Sequence, residues 1–113
     1  NLFSNIITLD VTNVYCYYQL MIRSFKSKET EKIWSGEFLR KLPSDIQKIM
    51  RRKLRMLNNS TELSDLQIPP SNNLESLKDD RIGQYSIKVN DQWRICFEWK
   101  DGDCYNVEIV DYH

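Results

Sequence analysis

The sequence predicts an α+β fold in which a small, antiparallel-dominated sheet packs against two N-terminal helices, and three observations carry that expectation. From Gln84 onward, polar and apolar side chains alternate in runs separated by turn residues, the period-two signature of strands with one buried face. Between Ser27 and Asn58 the apolar residues recur instead at helical spacing. A chain of 113 residues, 41% of them hydrophobic, holds material for one core rather than two.

Taken in order, residues 1–20 are rich in β-formers (Ile6, Ile7, Thr8, Val11, Val14, Tyr15) but broken by polar residues, so they read either as an extra edge strand or as disordered chain. They lack the positive n-region and small-residue cleavage site of a secretory signal. Met21-Ile22-Arg23-Ser24-Phe25 reads as a first strand. Ser27 is an N-cap for a short helix over about Lys28 to Phe38, and Ser44-Asp45-Ile46-Gln47 has the spacing of a capping box opening a longer helix to about Asn58. Ile46, Ile49, Met50, Leu54 and Leu57 form the buried stripe of that second helix, with Lys48, Arg51, Arg52 and Arg55 on the opposite face.

Leu63 to Asn73, with Pro69-Pro70-Ser71-Asn72, is a helix stop and loop, and Lys78-Asp79-Asp80-Arg81-Ile82-Gly83 leads into the sheet. Gln84 to Val89 and Trp93 to Trp99 alternate, the second placing Trp93, Ile95, Phe97 and Trp99 on the core face and Arg94, Cys96 and Glu98 on the other. Asn90-Asp91 supplies the first turn. Asp101-Gly102 suits a type I′ hairpin, which would set Trp99 opposite Cys104. Tyr105, Val107 and Ile109 continue the alternation, leaving Asp111, Tyr112 and His113 at a rim open to ligand.

Composition excludes several classes of function. One histidine, no Cys-x-x-Cys and scattered acids give no metal-ligand cluster, and the glycines are isolated, so no phosphate-binding glycine loop exists; neither a metal nor a cofactor is expected. Three cysteines, Cys16, Cys96 and Cys104, are too few and too irregular for a disulfide framework, which points to a reduced, cytoplasmic protein. No apolar run reaches the roughly 18 residues of a membrane span. Net charge is zero, yet Arg40, Lys41, Lys48, Arg51, Arg52, Lys53 and Arg55 crowd one stretch holding a single acid, Asp45. That basic face suits a solvated helix surface, phosphates of a nucleic acid, or an acidic protein partner.

The first strand Met21-Ile22-Arg23-Ser24-Phe25, the segment Leu74-Glu75-Ser76-Leu77-Lys78, the run Asn90-Asp91-Gln92-Trp93-Arg94-Ile95-Cys96-Phe97 and the ending Asp111-Tyr112-His113 together resemble HigB toxins of the RelE/ParE superfamily, in the branch that includes the GraT toxin. The resemblance covers residues 21–113, expected to be one toxin domain. It leaves residues 1–20 as an N-terminal extension of upstream or vector-derived sequence, because Met21 matches where the family's proteins begin.

The resemblance implies the toxin of a type II toxin–antitoxin system, an endoribonuclease that cuts mRNA on the ribosome by metal-independent attack of the RNA 2′-hydroxyl on the adjacent phosphate. It implies a HigA-like helix-turn-helix antitoxin as partner, together with ribosome and mRNA, operator DNA being reached only through the antitoxin. It places Lys78, Arg94, Asp111, Tyr112 and His113 around the scissile phosphate. In that scheme His113, with an unperturbed pKa of about 6.5, is the leading general acid/base. Asp111 shares proton transfer or orients the site, Lys78 and Arg94 stabilise the phosphorane, and Tyr112 stacks on the nucleotide. Lys48, Arg51, Arg52, Arg55, Arg81 and Lys88 are the expected RNA and ribosome contacts. Glu75 departs from relatives that carry a histidine there, so a second imidazole is missing. The alternative on the same fold is a non-enzymatic, ParE-like toxin that inhibits DNA gyrase by contact.

Overall fold

A computed structural model describes residues 21–112; the extension expected at residues 1–20 and the terminal His113 lie outside the described residues. Two helices, α1 (Lys28–Trp34) and α2 (Ser44–Asn59), precede strands β1 (Glu75–Ser76), β2 (Gln84–Lys88), β3 (Trp93–Lys100) and β4 (Asp103–Asp111), with short 3-10 turns at Leu63–Gln67, Pro70–Asn72 and Asp79–Arg81. The strands lie in the order β1-β2-β3-β4, each antiparallel to the next. This is the expected α+β arrangement.

Ser27 caps α1 as its sequence predicts, its Oγ accepting from the Thr30 amide at 3.2 Å. The helix stops at Trp34 rather than near Phe38, because Gly36 takes φ +94° and turns the chain back. The capping box expected at Ser44 does not form. Pro43 occupies the N-cap without a side-chain bond, and the buried Gln47 amide holds the incoming loop instead. It accepts from Leu39 N at 2.7 Å and donates to the Leu39 and Leu42 carbonyls at 2.6 and 2.8 Å. At the other end of α2, Asn58 Oδ1 accepts from both Met21 N and Ile22 N at 3.0 Å, pinning the first described residues to the helix.

Met21 to Lys26 forms less than the expected full strand. It makes two isolated parallel bridges to β4, Ile22 with Cys104 and Phe25 with Val107. The interruption follows from a bulge in β4: the β3 register jumps from Cys96↔Glu108 to Glu98↔Tyr105, and Asn106 between them sits in the left-handed region at φ +52°. The same bulge corrects the parity expected for β4. Cys104, not Tyr105, shares the core face with Val107 and Ile109, while Tyr105 lies opposite Glu98 on the other face. The Asp101-Gly102 hairpin forms as expected, with φ of +53° and +84° and Trp99 opposite Cys104.

The helices cover one face of the sheet, and Ile33, Met50, Leu54 and Leu57 meet Ile87, Ile95 and Phe97 there, all essentially inaccessible. Trp93 and Trp99 flank this core as half-buried residues. Leu66 and Asn72, in what reads from sequence as a plain loop, are also buried; Asn72 is held by Lys53 and the Leu66 carbonyl.

Candidate active site

The sheet face turned away from the helices is not the solvated surface that simple alternation suggests. Arg94 and Cys96 on β3 are 8% and 1% exposed, and Ser86 on β2 is fully buried. The β2/β3 register explains the cluster, for Ser86 stands opposite Cys96 and Lys88 opposite Arg94, so all four share that outer face. On the flanking strands Glu75 stands opposite Ser86, and Val110 and Glu108 stand opposite Arg94 and Cys96.

Arg94 is the organising group. Its Nε donates to Ser86 Oγ at 2.8 Å, and its Nη2 donates to the Asn73 carbonyl at 2.6 Å and the Ser86 carbonyl at 3.4 Å. Glu75 Oε1 lies 3.7 Å from the same nitrogen. Three donors are thereby committed to the protein, and among the described residues Nη1 has no hydrogen-bond acceptor. The Asn73 carbonyl is turned toward Arg94 by a left-handed residue, φ +45°, at the end of the Pro70–Asn72 turn. A guanidinium held along one edge presents the other with fixed geometry, the form suited to a phosphate.

Beside the guanidinium lies Tyr112, whose ring centroid is 5.9 Å from Arg94 Cζ. Its hydroxyl is 3.9 Å from Cys96 Sγ, while 43% of the residue stays exposed. Burial pushes the Cys96 thiol up, and burial followed by the neighbouring Cys96 pushes the Tyr112 phenol up, so both stay protonated near neutral pH. Arg81 reaches over the same face: its Nη2 is 3.8 Å from Glu108 Oε1, and its Nη1 is buried with no nitrogen or oxygen acceptor among the described residues. Lys26 meets the same Glu108 oxygen at 3.7 Å.

A cavity of about 270 Å³ opens here, lined by Asn73, Glu75, Lys88, Asn90, Asp91, Arg94 and Tyr112. Lys88 Nζ pairs with Asp91 Oδ1 at 3.0 Å on its rim. Among the described residues no group of three or more His, Cys, Asp or Glu side chains is placed to hold a metal ion.

The structure thus brings together Arg94, Tyr112, Lys88 and, across the same face, Arg81. It does not bring in the other expected residues equally. Asp111 pairs with Trp93 in the register and so leaves β4 on the helix side, opposite to Tyr112, where Gln92 Nε2 donates to its Oδ2 at 3.2 Å. Lys78 is exposed beyond Leu77, whose amide bonds the Gln84 carbonyl. Along β2 that is four residues from Lys88, the partner of Arg94, or roughly 13 Å. His113 lies outside the described residues.

On α2, Lys48, Arg52 and Arg55 are exposed along one stripe. Arg51 is diverted from it, its Nε donating to the Ile33 carbonyl at 2.9 Å and its Nη2 to the Glu37 carbonyl at 3.3 Å, so it ties down the end of α1. Sequence reasoning overlooked Ser86, Asn73 and Glu108, and counted Lys53 only as part of the basic stretch. For Ser86 the signal was present, since it occupies the same alternating row as Lys88, whereas the approach of Asn73 and Arg81 depends on loop paths that no periodicity encodes.

Residues 23–113 match the family of RelE-like toxins of type II toxin–antitoxin systems, HigB. The chain is 39% identical over 90 residues to Toxin HigB-1 of Vibrio cholerae serotype O1, covering 79% of this chain and 95% of that protein. It is 35% identical over 94 residues to Endoribonuclease HigB of Proteus vulgaris, covering 82% of this chain and all of the relative. An uncharacterised protein of Haemophilus influenzae is 36% identical over 74 residues, 66% of this chain and 73% of its own.

Proposed function

The chain belongs to the HigB family of RelE-like toxins, and from that premise we propose that it cleaves mRNA on the ribosome by intramolecular transesterification. It is a toxin of a type II toxin–antitoxin system and an endoribonuclease, and an antitoxin is its partner. In the reaction the 2′-oxygen attacks the adjacent phosphorus and loses its proton to a base. The P–O5′ bond breaks, and the leaving oxygen takes a proton from an acid, which yields a 2′,3′-cyclic phosphate and a 5′-hydroxyl. The protein must neutralise the phosphorane and carry those two protons.

One observation carries this reading: the Arg94 guanidinium is buried, fixed through Nε and Nη2, and lines a cavity of about 270 Å³. Such a donor is already in position when charge develops on the phosphorane, so it costs no reorganisation at the moment of reaction. Tyr112 beside it offers a half-exposed ring on which a base stacks. His113 is assigned the proton transfers, with Asp111 assisting from the strand end and Lys78 adding positive charge. The register keeps the Asp111 and Lys78 side chains apart from Arg94, so the described residues do not by themselves form a complete site.

That incompleteness supports ribosome dependence, since a substrate held by the ribosome arrives oriented and the missing positioning comes from outside the toxin. We further assign the antitoxin to a HigA-like helix-turn-helix type, with operator DNA contacted only through it, and the site of action to the cytoplasm, where ribosomes are. Among the described residues no helix is long and apolar enough to cross a membrane. Primer extension on an mRNA with and without ribosomes tests the proposal. Cleavage confined to the ribosome-bound message is expected. Comparable cutting of free RNA would overturn ribosome dependence, and gyrase inhibition without any RNA cleavage would move the chain to the contact-inhibitor class.

A further inference from the structure

The Arg94 cavity does not end at Lys88. A second furrow, of about 460 Å³, shares Asn73 and Lys88 with it and continues along α2, lined by Ile49, Arg52, Lys53, Ser71 and Val89. Its chemistry differs from that of the first. The Arg94 cavity includes Glu75 and Asp91, whereas the furrow has three cations and no carboxylate in its lining. Lys53 is set into the wall, 7% exposed, with its ammonium on Asn72 Oδ1 and its proton affinity lowered by burial first and by Arg52 second. A positive group whose charge is held at a cost gains when an anion enters beside it. Ile49 and Val89 add an apolar surface between the charges, suited to the face of a base or ribose.

Resting on the ribonuclease reading above, we propose that this furrow is a second nucleotide subsite, which holds the mRNA strand on one side of the scissile phosphate. Arg52 and Lys88 contact the flanking phosphates, Ser71 and Asn73 bond the sugar edge, and Ile49 with Val89 receive the base. The subsite divides the basic helix into two parts. Arg52 faces the message, whereas Lys48 and Arg55, exposed on the same helix, do not line the furrow.

The test uses the full chain and RNA oligonucleotides blocked by 2′-O-methylation at the cleavage position, one a trinucleotide and one extended on both sides. Affinity is read by fluorescence anisotropy across a salt series. In the parent the longer RNA should bind at least threefold more tightly. Arg52→Glu and, separately, Ser71→Asp should abolish that gain while leaving trinucleotide affinity within twofold, and Arg52→Glu should flatten the salt slope by about 0.7 for one lost single-strand phosphate contact. Arg55→Glu should keep the length dependence.

Equal loss in Arg52→Glu and Arg55→Glu would mean a general charge effect and would overturn the subsite, as would a parent that gains nothing from length. If Arg52→Glu weakens association with ribosomes carrying no message as much as with programmed ones, the furrow belongs to ribosomal RNA and the proposal falls. Cleavage of mRNA on ribosomes by the parent, measured in parallel, keeps the two readings separable. Cleavage with an unchanged KM in Arg52→Glu sinks the subsite alone, and no cleavage by the parent sinks the ribonuclease reading itself.

Discussion

Ser86→Ala probes whether Arg94 acts because it is charged or because it is held. Ser86 is fully buried and its hydroxyl is the acceptor for Arg94 Nε at 2.8 Å, so the substitution leaves a buried guanidinium N–H without a partner. The cost of such an orphaned donor is about 1–3 kcal/mol. In a domain of this size that lowers Tm by on the order of 10 °C. Nη2 remains anchored on the Asn73 carbonyl at 2.6 Å, so the charge stays in the cavity but the group gains a pivot. Losing one of two anchoring directions is expected to reduce single-turnover cleavage about tenfold, equivalent to about 1.4 kcal/mol of transition-state stabilisation, with KM little changed. Arg94→Ala should cost about 10²- to 10³-fold, the range for a lost charge-stabilising donor. The decisive comparison is the double variant, assayed by primer extension on programmed ribosomes at equal folded concentration. If Ser86 works through Arg94, adding Ser86→Ala to Arg94→Ala costs nothing further. Multiplicative losses, or a Ser86→Ala protein that melts and cleaves like the parent, would refute the claim that this hydroxyl aims the guanidinium.

Four other outcomes are expected. Arg51→Ala should lower stability by about 1 kcal/mol through its lost bonds to the Ile33 and Glu37 carbonyls. It should leave ribosome cosedimentation intact, whereas neutralising Lys48 and Arg55 together should weaken cosedimentation and flatten its salt dependence with Tm unmoved. Burial holds the Cys104 thiol up to about 12 against an ordinary value of 9.0, so the folded chain keeps a proton that the unfolded chain releases. Stability should therefore be complete below pH 9 and fall between pH 9 and 12 by up to about 1.4 kcal/mol per unit, a slope that Cys104→Ala flattens in alkaline melts. His113→Ala should lower mRNA cleavage by about 10²- to 10⁴-fold without moving Tm, and unchanged cleavage would remove the imidazole from the chemistry. Glu75→Gln should raise cleavage of free RNA severalfold, measured by gel assay without ribosomes, and a further fall would instead make Glu75 a participant.

The α+β class, both helices, the meander and the Trp99–Cys104 pairing were legible in the sequence because each follows from local periodicity or turn chemistry. What escaped was parity and burial. The expected β4 core face put Tyr105 with Val107 and Ile109, and one left-handed residue, Asn106, reversed the first of these. A bulge carries no periodic signal, although asparagine is among the few residues that tolerate such a φ. Ser44 and Gln47 have capping-box spacing, yet Gln47 has a better use on the Leu39–Leu42 turn, where it bonds three backbone groups. Of the site residues expected from the sequence, only some come together in the structure. Arg94, Lys88 and Tyr112 line one cavity, but Asp111 is the last residue of β4 and Tyr112 the next along the chain, so their side chains diverge, a consequence of the two-residue period available from the outset.

The position of Glu75 links this geometry to the proposed dependence on the ribosome. In the free protein its carboxylate, half exposed and 3.7 Å from Arg94 Nη2, partly neutralises the field that an incoming phosphodiester would feel. Solvent screening keeps that pair weak, within about 1 kcal/mol, so it is a brake rather than a block. Free RNA must overcome it with binding energy drawn from the few contacts that a small, open site offers. A message fixed in the ribosome has already lost its translational freedom, and its phosphate enters the cavity at high effective concentration, which outweighs a competitor of that strength. Excluding water at the same time strengthens the attraction between the phosphorane and the Nη1 edge more than that between Glu75 and Nη2, because the former gains its full charge only in the transition state. On the proposed reading, a guanidinium clamped on one edge and lightly countered by an acid is thus weak toward RNA in solution and effective toward RNA that something else holds in place.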